Sequence, residues 1–205
     1  MTAAPGRVHY GGMAEVRSTF QLRPGERAPD FSLPDAAGRI HSLADIADGG
    51  RALVVVFACN HCPFVIHLAG AMGRLARDTS ALGARWVAIN ANDVSRYPAD
   101  APDKMAAFAN ASGWDFPYLF DETQATAKAY AAACTPDFYL FDADRRLRYA
   151  GQFDATRPGR GAPTGGDLRA ALERVLATGE GPPLPWPPSS GCSIKWKPGS
   201  EPAYF

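Results

Sequence analysis

The chain has 205 residues, 46% of them apolar and 20% charged, which suits one domain with extensions and a full hydrophobic core. Acidic and basic residues balance at 21 each, so charge points to neither nucleic acid nor an anionic membrane as a partner. Four cysteines in a chain with so large a core do not make a disulfide-stapled secreted scaffold.

Residues 1–12 hold no apolar h-region, and the longest hydrophobic run is residues 52–57. Neither a signal peptide nor a membrane-spanning helix is expected, and the default compartment is the cytoplasm. Met13 is an alternative start, which leaves residues 1–12 as a disordered leader. Residues 1–25 read as an N-terminal extension, of which residues 14–25 pack only where something holds them. Residues 26–179 carry the pattern of one α/β domain, and residues 180–205 form a Pro-rich tail.

Phe31 and Leu33 stand at strand spacing ahead of the Gly38 turn, and residues 39–43 return, which predicts a short hairpin. Ser42 caps a brief helical turn that Gly49 and Gly50 break, and His41 reads as a surface residue. Residues 52–57 form an unbroken apolar run, the pattern of a strand buried on both faces. Cys59 and Cys62 follow at C-x-x-C spacing. Pro63 then suits a first helical turn, and Val65, Leu68, Met72 and Leu75 recur on one helical face, with His67 on the solvent side.

Residues 85–90 read as a second strand, completing a βαβ unit. After a polar loop, Pro102 opens a helix that Gly113 ends, and residues 116–120 are extended. Residues 121–124 resemble a capping box for a helix running to about residue 132. Residues 138–141 are apolar on both faces, an interior strand, and residues 146–150 alternate as its half-exposed neighbour. A Gly- and Pro-rich loop containing Arg157 leads to a helix over 167–178 that Gly179 stops. Beyond it, residues 182–188 form an extended strap.

The chemistry sits at the strand-to-helix junction. A helix N-terminus favours an anion, so a cysteine there ionises below the ~8.5 of a free thiol. This placement marks Cys59 as an exposed nucleophile, Cys62 as the thiol that closes a disulfide behind it, and His61 as a cation holding the thiolate. A structural zinc pair or two inert core thiols are the plainer alternatives.

The order of elements, with segments FACNHCPFV, NANDV, PYLFDETQ, CTPDFYLFDAD and GCSIKWKPG, resembles the thioredoxin fold and, within it, the peroxiredoxin-like redoxin branch of AhpC/TSA type. The resemblance spans residues 26–200 and implies an α/β thioredoxin-like fold with an N-terminal β-hairpin, a helical insert and an extended tail. It also implies a cis Pro136 after Thr135, lying against the C-x-x-C and offering backbone groups to a thiol substrate; Cys134, two residues earlier, is then either a thiol near that site or an inert buried one. The chain departs from peroxiredoxins in their P-x-x-x-T-x-x-C signature. Cys59 stands where the Thr belongs, Val55 where the Pro belongs, and Thr135 where the supporting Arg belongs. A His ahead of the second Cys resembles DsbA and protein disulfide isomerase sites instead.

The leading reading is a thiol:disulfide oxidoreductase that needs no cofactor, acting on protein or small-molecule disulfides and thiols with an unidentified reductant. A thiol-dependent peroxidase of the antioxidant peroxiredoxin type is the first alternative. A metal-binding redoxin is the second, although no histidine follows His67 to supply a distal third ligand. Arg157 reads as an exposed loop arginine or a steering charge for an anionic substrate. In the tail, Trp186, Ile194, Trp196 and Tyr204 provide apolar surface for docking, which would give Cys192 a fixed address. Cys192 is then either a third redox thiol, taking the disulfide from Cys59 or pairing with Cys134, or a free cysteine in a packed strap.

Overall fold

The computed structural model describes residues 9–10 and 13–204. The expected leader therefore lies outside the described residues, except for strand β1 (His9–Tyr10), which pairs with β2 (Met13–Arg17). Next come the hairpin β3 (Ser32–Pro34) and β4 (Ile40–Ser42), helix α1 (Leu43–Ala47), strand β5 (Ala52–Phe57), helix α2 (Pro63–Ser80) and strand β6 (Ala84–Asn90). A 3-10 turn (Pro98–Asp100) precedes α3 (Pro102–Ala111), β7 (Tyr118–Phe120), α4 (Ala125–Ala129) and β8 (Cys134–Thr135). The chain closes with β9 (Asp137–Asp142), β10 (Leu147–Gly151), α5 (Gly166–Thr178) and β11 (Ser190–Ser193).

Strand β5 is the middle of a five-stranded sheet ordered β10-β9-β5-β6-β7. It runs parallel to β6, from Ala52 opposite Ala84 to Phe57 opposite Ile89, and antiparallel to β9, from Ala52 opposite Asp142 to Phe57 opposite Asp137. All six of its side chains are buried, as an apolar run flanked on both sides requires. Helix α2 buries Val65, Leu68, Met72 and Leu75, and each such side chain contributes about 1.5–3 kcal/mol on removal from water. Ser42 forms the cap of α1 as a reciprocal box with Asp45.

Three expectations are corrected. Residues 121–124 do not form a capping box: Gln124 is left-handed at φ 63°, and α4 has five residues. Tertiary bonds override the local motif. The Asp121 carboxylate accepts from Ala127 N (2.8 Å), while the Gln124 amide donates to Ala91 O (2.7 Å) and Lys195 O (3.0 Å) and accepts from Lys197 N (2.8 Å). His67 is half-buried, bonded to Thr156 Oγ1 at 3.0 Å, because the loop after β10 folds over that side of α2. The tail is more than a strap. Its β11 joins a second, four-stranded sheet ordered β1-β2-β11-β8, and so ties the N-terminal extension to the strand before Pro136. Trp186, Ile194 and Trp196 are buried in the core.

Candidate active site

Strand β5 ends at Phe57, and Cys62 is the N-cap of α2, with Pro63 at the first helical position. The helix thus starts after the second cysteine. The turn between them is pinned from below: Tyr118 Oη donates to Asn60 Oδ1 at 3.0 Å, and Ala58 N donates to Ile89 O at 2.9 Å.

The opposite wall is β8. The Thr135–Pro136 bond is cis, as the family resemblance implied. Thr135 Oγ1 shares a hydrogen bond with Cys59 Sγ at 3.4 Å, and Cys62 Sγ donates to Thr135 O at 3.0 Å. Strand β11 lies beyond, with Cys192 directly opposite Thr135 and Ser193 opposite Cys134. Gly191 permits this: a Cβ there would lie 2.1 Å from Thr135 O. Covered by these strands, Cys59 is 1% exposed and Cys62 0%, so the expected exposed Cys59 is instead buried. All four cysteines are free thiols.

Cys59 and Cys192 both lie close enough to Cys62 to act on its ionisation. These contacts split the acidities. Burial opposes ionisation of Cys62, yet hydrogen bonds from Cys192, Cys59 and Thr135 outweigh it and hold this thiol well below its ordinary range. The Val65 N–H adds a smaller pull without forming a geometric side-chain cap. Burial pushes Cys59 well up, and the hydrogen bond and charge of Cys62 push it further. Cys192 is raised chiefly by its bond to Cys62 and then by burial, with Lys195 opposing. Ionisation therefore favours Cys62, where the sequence had pointed to Cys59.

His61 has a partner that no sequence pattern disclosed. Asp100 is fully buried, and its carboxylate is bonded to His61 Nδ1 (2.6 Å), Asn60 N (2.8 Å), His61 N (3.2 Å) and Asn92 Nδ2 (2.8 Å). This bond, with burial opposing, raises the His61 pKa above its ordinary value and favours the imidazolium. The ring stacks on Tyr97 at 5.7 Å, and Lys195 Nζ lies 5.7 Å from the Tyr97 ring centre. Nε2 of His61 is buried and has no hydrogen-bond partner among the described residues. The sole hint in the sequence was an acidic residue in the loop after Asn90.

Among the described residues, Cys59, His61 and Asp100 form the one group whose ligand atoms lie close enough to hold a metal, within 4.8 Å of one another. That is short of the four ligands a structural zinc takes, and the Asp100 oxygens already receive the bonds just described.

Cys134 does not join the thiols. Alternation along β8 turns it to the other face, where its thiol donates to Pro136 O at 3.5 Å, and burial raises its pKa. Arg157 is half-buried, not an exposed loop residue. Its guanidinium donates to Thr156 O (2.7 Å) and Gln152 Oε1 (3.2 Å). With Phe64 and Pro136 it borders a crevice of about 10 Å³, room for about one water.

The family model described as the AhpC/TSA family matches residues 24–150. A Mycobacterium tuberculosis protein provisionally named a peroxiredoxin, Rv2521, is 33% identical over 117 residues, 57% of this chain and 69% of that protein. A solved structure of a conserved Geobacillus kaustophilus protein, itself uncharacterised, is 48% identical with a TM-score of 0.85, covering 91% of this chain and 98% of that one. The structure of a secreted Mycobacterium tuberculosis disulfide oxidoreductase shares the fold alone, at 17% identity and a TM-score of 0.55 over 70% of this chain and 94% of that one. The architecture is thioredoxin-like. No helix among the described residues is long and apolar enough to cross a membrane.

Proposed function

This chain belongs to the AhpC/TSA family, within the thioredoxin superfamily, and we propose that it works as a thiol:disulfide oxidoreductase on the Cys59/Cys62 pair. The supporting observation is geometric: Cys62, the N-cap of α2, and Cys59, three residues before it, are both bonded to Thr135, the residue ahead of the cis Pro136. The Cys62 thiolate attacks one sulfur of a substrate disulfide, forming a mixed disulfide and expelling a thiolate that His61 protonates. Cys59 then attacks the Cys62 sulfur, forming the Cys59–Cys62 disulfide and releasing the second substrate thiol. An external dithiol restores both cysteines. Thr135 and Pro136 supply the wall along which the substrate sulfur lies, and Asp100 holds His61 in its charged form. The same exchange runs in either direction, according to the potential of the partner. Trapping tests the assignment: with Cys59 and Cys192 both replaced by serine, a mixed disulfide should accumulate on Cys62, whereas Cys62→Ser should form none. Trapping on Cys59 in the second variant would reverse the roles.

Burial of both thiols favours a second reading, a thiol peroxidase, because a peroxide is far smaller than a protein disulfide and asks less movement of the covering strands. The residues that prepare a peroxide in peroxiredoxins are nevertheless replaced at Val55, Cys59 and Thr135. Stopped-flow consumption of peroxide at the rate of a free thiolate is the expected result. Fast, saturable consumption would make the peroxidase reading the better one.

A further inference from the structure

Cys62 faces two thiols, one from its own turn and one from a strand 130 residues further on. We propose that Cys192 is a third redox thiol, which takes the Cys62 sulfur over from Cys59 and so moves the disulfide from the C-x-x-C onto the tail. The proposal rests on the dithiol reading above. It extends that reading from a pair to a relay.

The geometry comes from register. Residues directly opposite across an antiparallel ladder share a face, so Cys192 stands on the face of Thr135, which touches both Cys59 and Cys62. The absent side chain of Gly191 lets β11 lie against Thr135, and α2 packs directly on β11. Cys192 is 2% exposed and fixed in the β11 ladder, so its surroundings are set by packing and not by a mobile tail. Cys134 is held to the other face by the same alternation and is left out of the relay.

The step is an exchange that needs no outside oxidant once the Cys59–Cys62 disulfide exists. The Cys192 thiolate attacks the Cys62 sulfur. The Cys62–Cys192 bond forms, the Cys59–Cys62 bond breaks, and its electron pair leaves on Cys59, which takes up the proton that left Cys192. Oxidation itself prepares the attack. In the reduced site a neighbouring Cys62 anion raises the Cys192 pKa, and capture of Cys62 in a disulfide removes that anion while the opposing Lys195 remains. The product ties β11 covalently to the start of α2, closing the strap over the site until a reductant reopens it.

Oxidised glutathione is the probe, with disulfides mapped by non-reducing peptide mass spectrometry in wild type, Cys59→Ser, Cys134→Ser and Cys59→Ser/Cys192→Ser. Wild type and Cys134→Ser should both yield Cys59–Cys62 and Cys62–Cys192 peptides. Cys59→Ser should carry at least about tenfold less glutathione on Cys62 than the double variant, because a positioned internal thiol outcompetes one from solution. If wild type forms Cys59–Cys62 alone and the two Cys59 variants hold equal glutathione, the relay is wrong and the dithiol reading stands. If wild type forms neither disulfide while Cys62 is glutathionylated, both fall.

Discussion

The two walls around Cys62 are built by opposite means. One, from Phe57 to Phe64, is continuous in sequence and set by the end of β5 and the start of α2. The other, Thr135 with Cys192, is assembled from β8 and β11 by strand register. Cys59 and Cys62 both belong to the first wall, yet the second helps set their acidities, since Thr135 and Cys192 both pull Cys62 down. Position relative to the helix therefore does not by itself decide which thiol ionises. The largest effect follows: Cys62→Ser should lower disulfide-exchange rates by about 10³-fold or more, as loss of a nucleophile does. Cys59→Ser should retain the first half-reaction. Equal loss in both, read as burst amplitude with a chromogenic disulfide, would erase the difference between the walls.

A second prediction probes how the distal wall is anchored. Asp137, next after Pro136, accepts from Ser18 Oγ (2.7 Å), Tyr139 Oη (3.2 Å) and Ala133 N (3.3 Å). Burial pushes its pKa from 3.8 up to about 6. A folded pKa above the unfolded one means that the native state binds more protons between those values. The associated stability is fully present below pH 3.8 and is lost as pH rises through about 6. The total is about 3 kcal/mol, from roughly 1.4 kcal/mol per unit. Urea titrations at pH 4 to 7 should show wild type losing stability relative to Asp137→Asn as pH rises. A difference that stays flat with pH would place the titration elsewhere.

The two walls were also unequally legible. Residues 52–57 declare a buried strand by composition, and Pro63 with the spacing of Val65, Leu68, Met72 and Leu75 declares the helix, because these signals are local. The hairpin around Phe31 and the capped turn at Ser42 are legible for the same reason. Pro136 could be placed through the family resemblance. Asp100 could not, since its role depends on a turn reaching back 40 residues to Asn60 and 39 to His61, with no periodicity to mark it. Gln124 misled because its bonds to Ala91, Lys195 and Lys197 outweighed a local capping signal. Trp186, Ile194 and Trp196 announced that the tail docks, but which thiol Cys192 would meet was decided by a register that no residue pattern encodes.

Register can be broken directly. Gly191→Ala drives a methyl into Thr135 O, a backbone atom that cannot swing aside. Overpacking of this kind costs about 1–3 kcal/mol, on the order of 2–12 °C in Tm for a chain of this length. Amide exchange should accelerate in β11 and β8 and stay slow in β5. Gly70→Ala in α2 is the control: its nearest neighbour is the end of the Arg74 side chain at 3.5 Å, so it should be neutral or stabilising by about 0.4–1 kcal/mol. If both variants behaved alike, close approach of β11 would not be what holds the distal wall.

The smallest predicted effect asks whether the walls sense each other electrically. Lys195, just past β11, places its ammonium 5.7 Å from the Tyr97 ring centre, and the other aromatic neighbour of that ring is the stacked His61. The positive charge lowers the His61 pKa, while the Asp100 hydrogen bond raises it and prevails. Lys195→Met should therefore move the His61 titration upward, at a stability cost of no more than about 1 kcal/mol for the lost cation–π contact. Asp100→Asn should move it downward and by more. Because the folded pKa of His61 is raised, its bond to Asp100 adds stability that is full below pH 6.5 and fades as pH rises through the folded value. Lys195→Met should push that fade to higher pH, and Asp100→Asn should abolish it. Proton NMR of the His61 ring, assigned with His61→Gln, reads both shifts. A Lys195→Met titration unchanged or moved downward would mean that the tail's charge does not reach the C-x-x-C turn and that the two walls meet only through their sulfur atoms and Thr135.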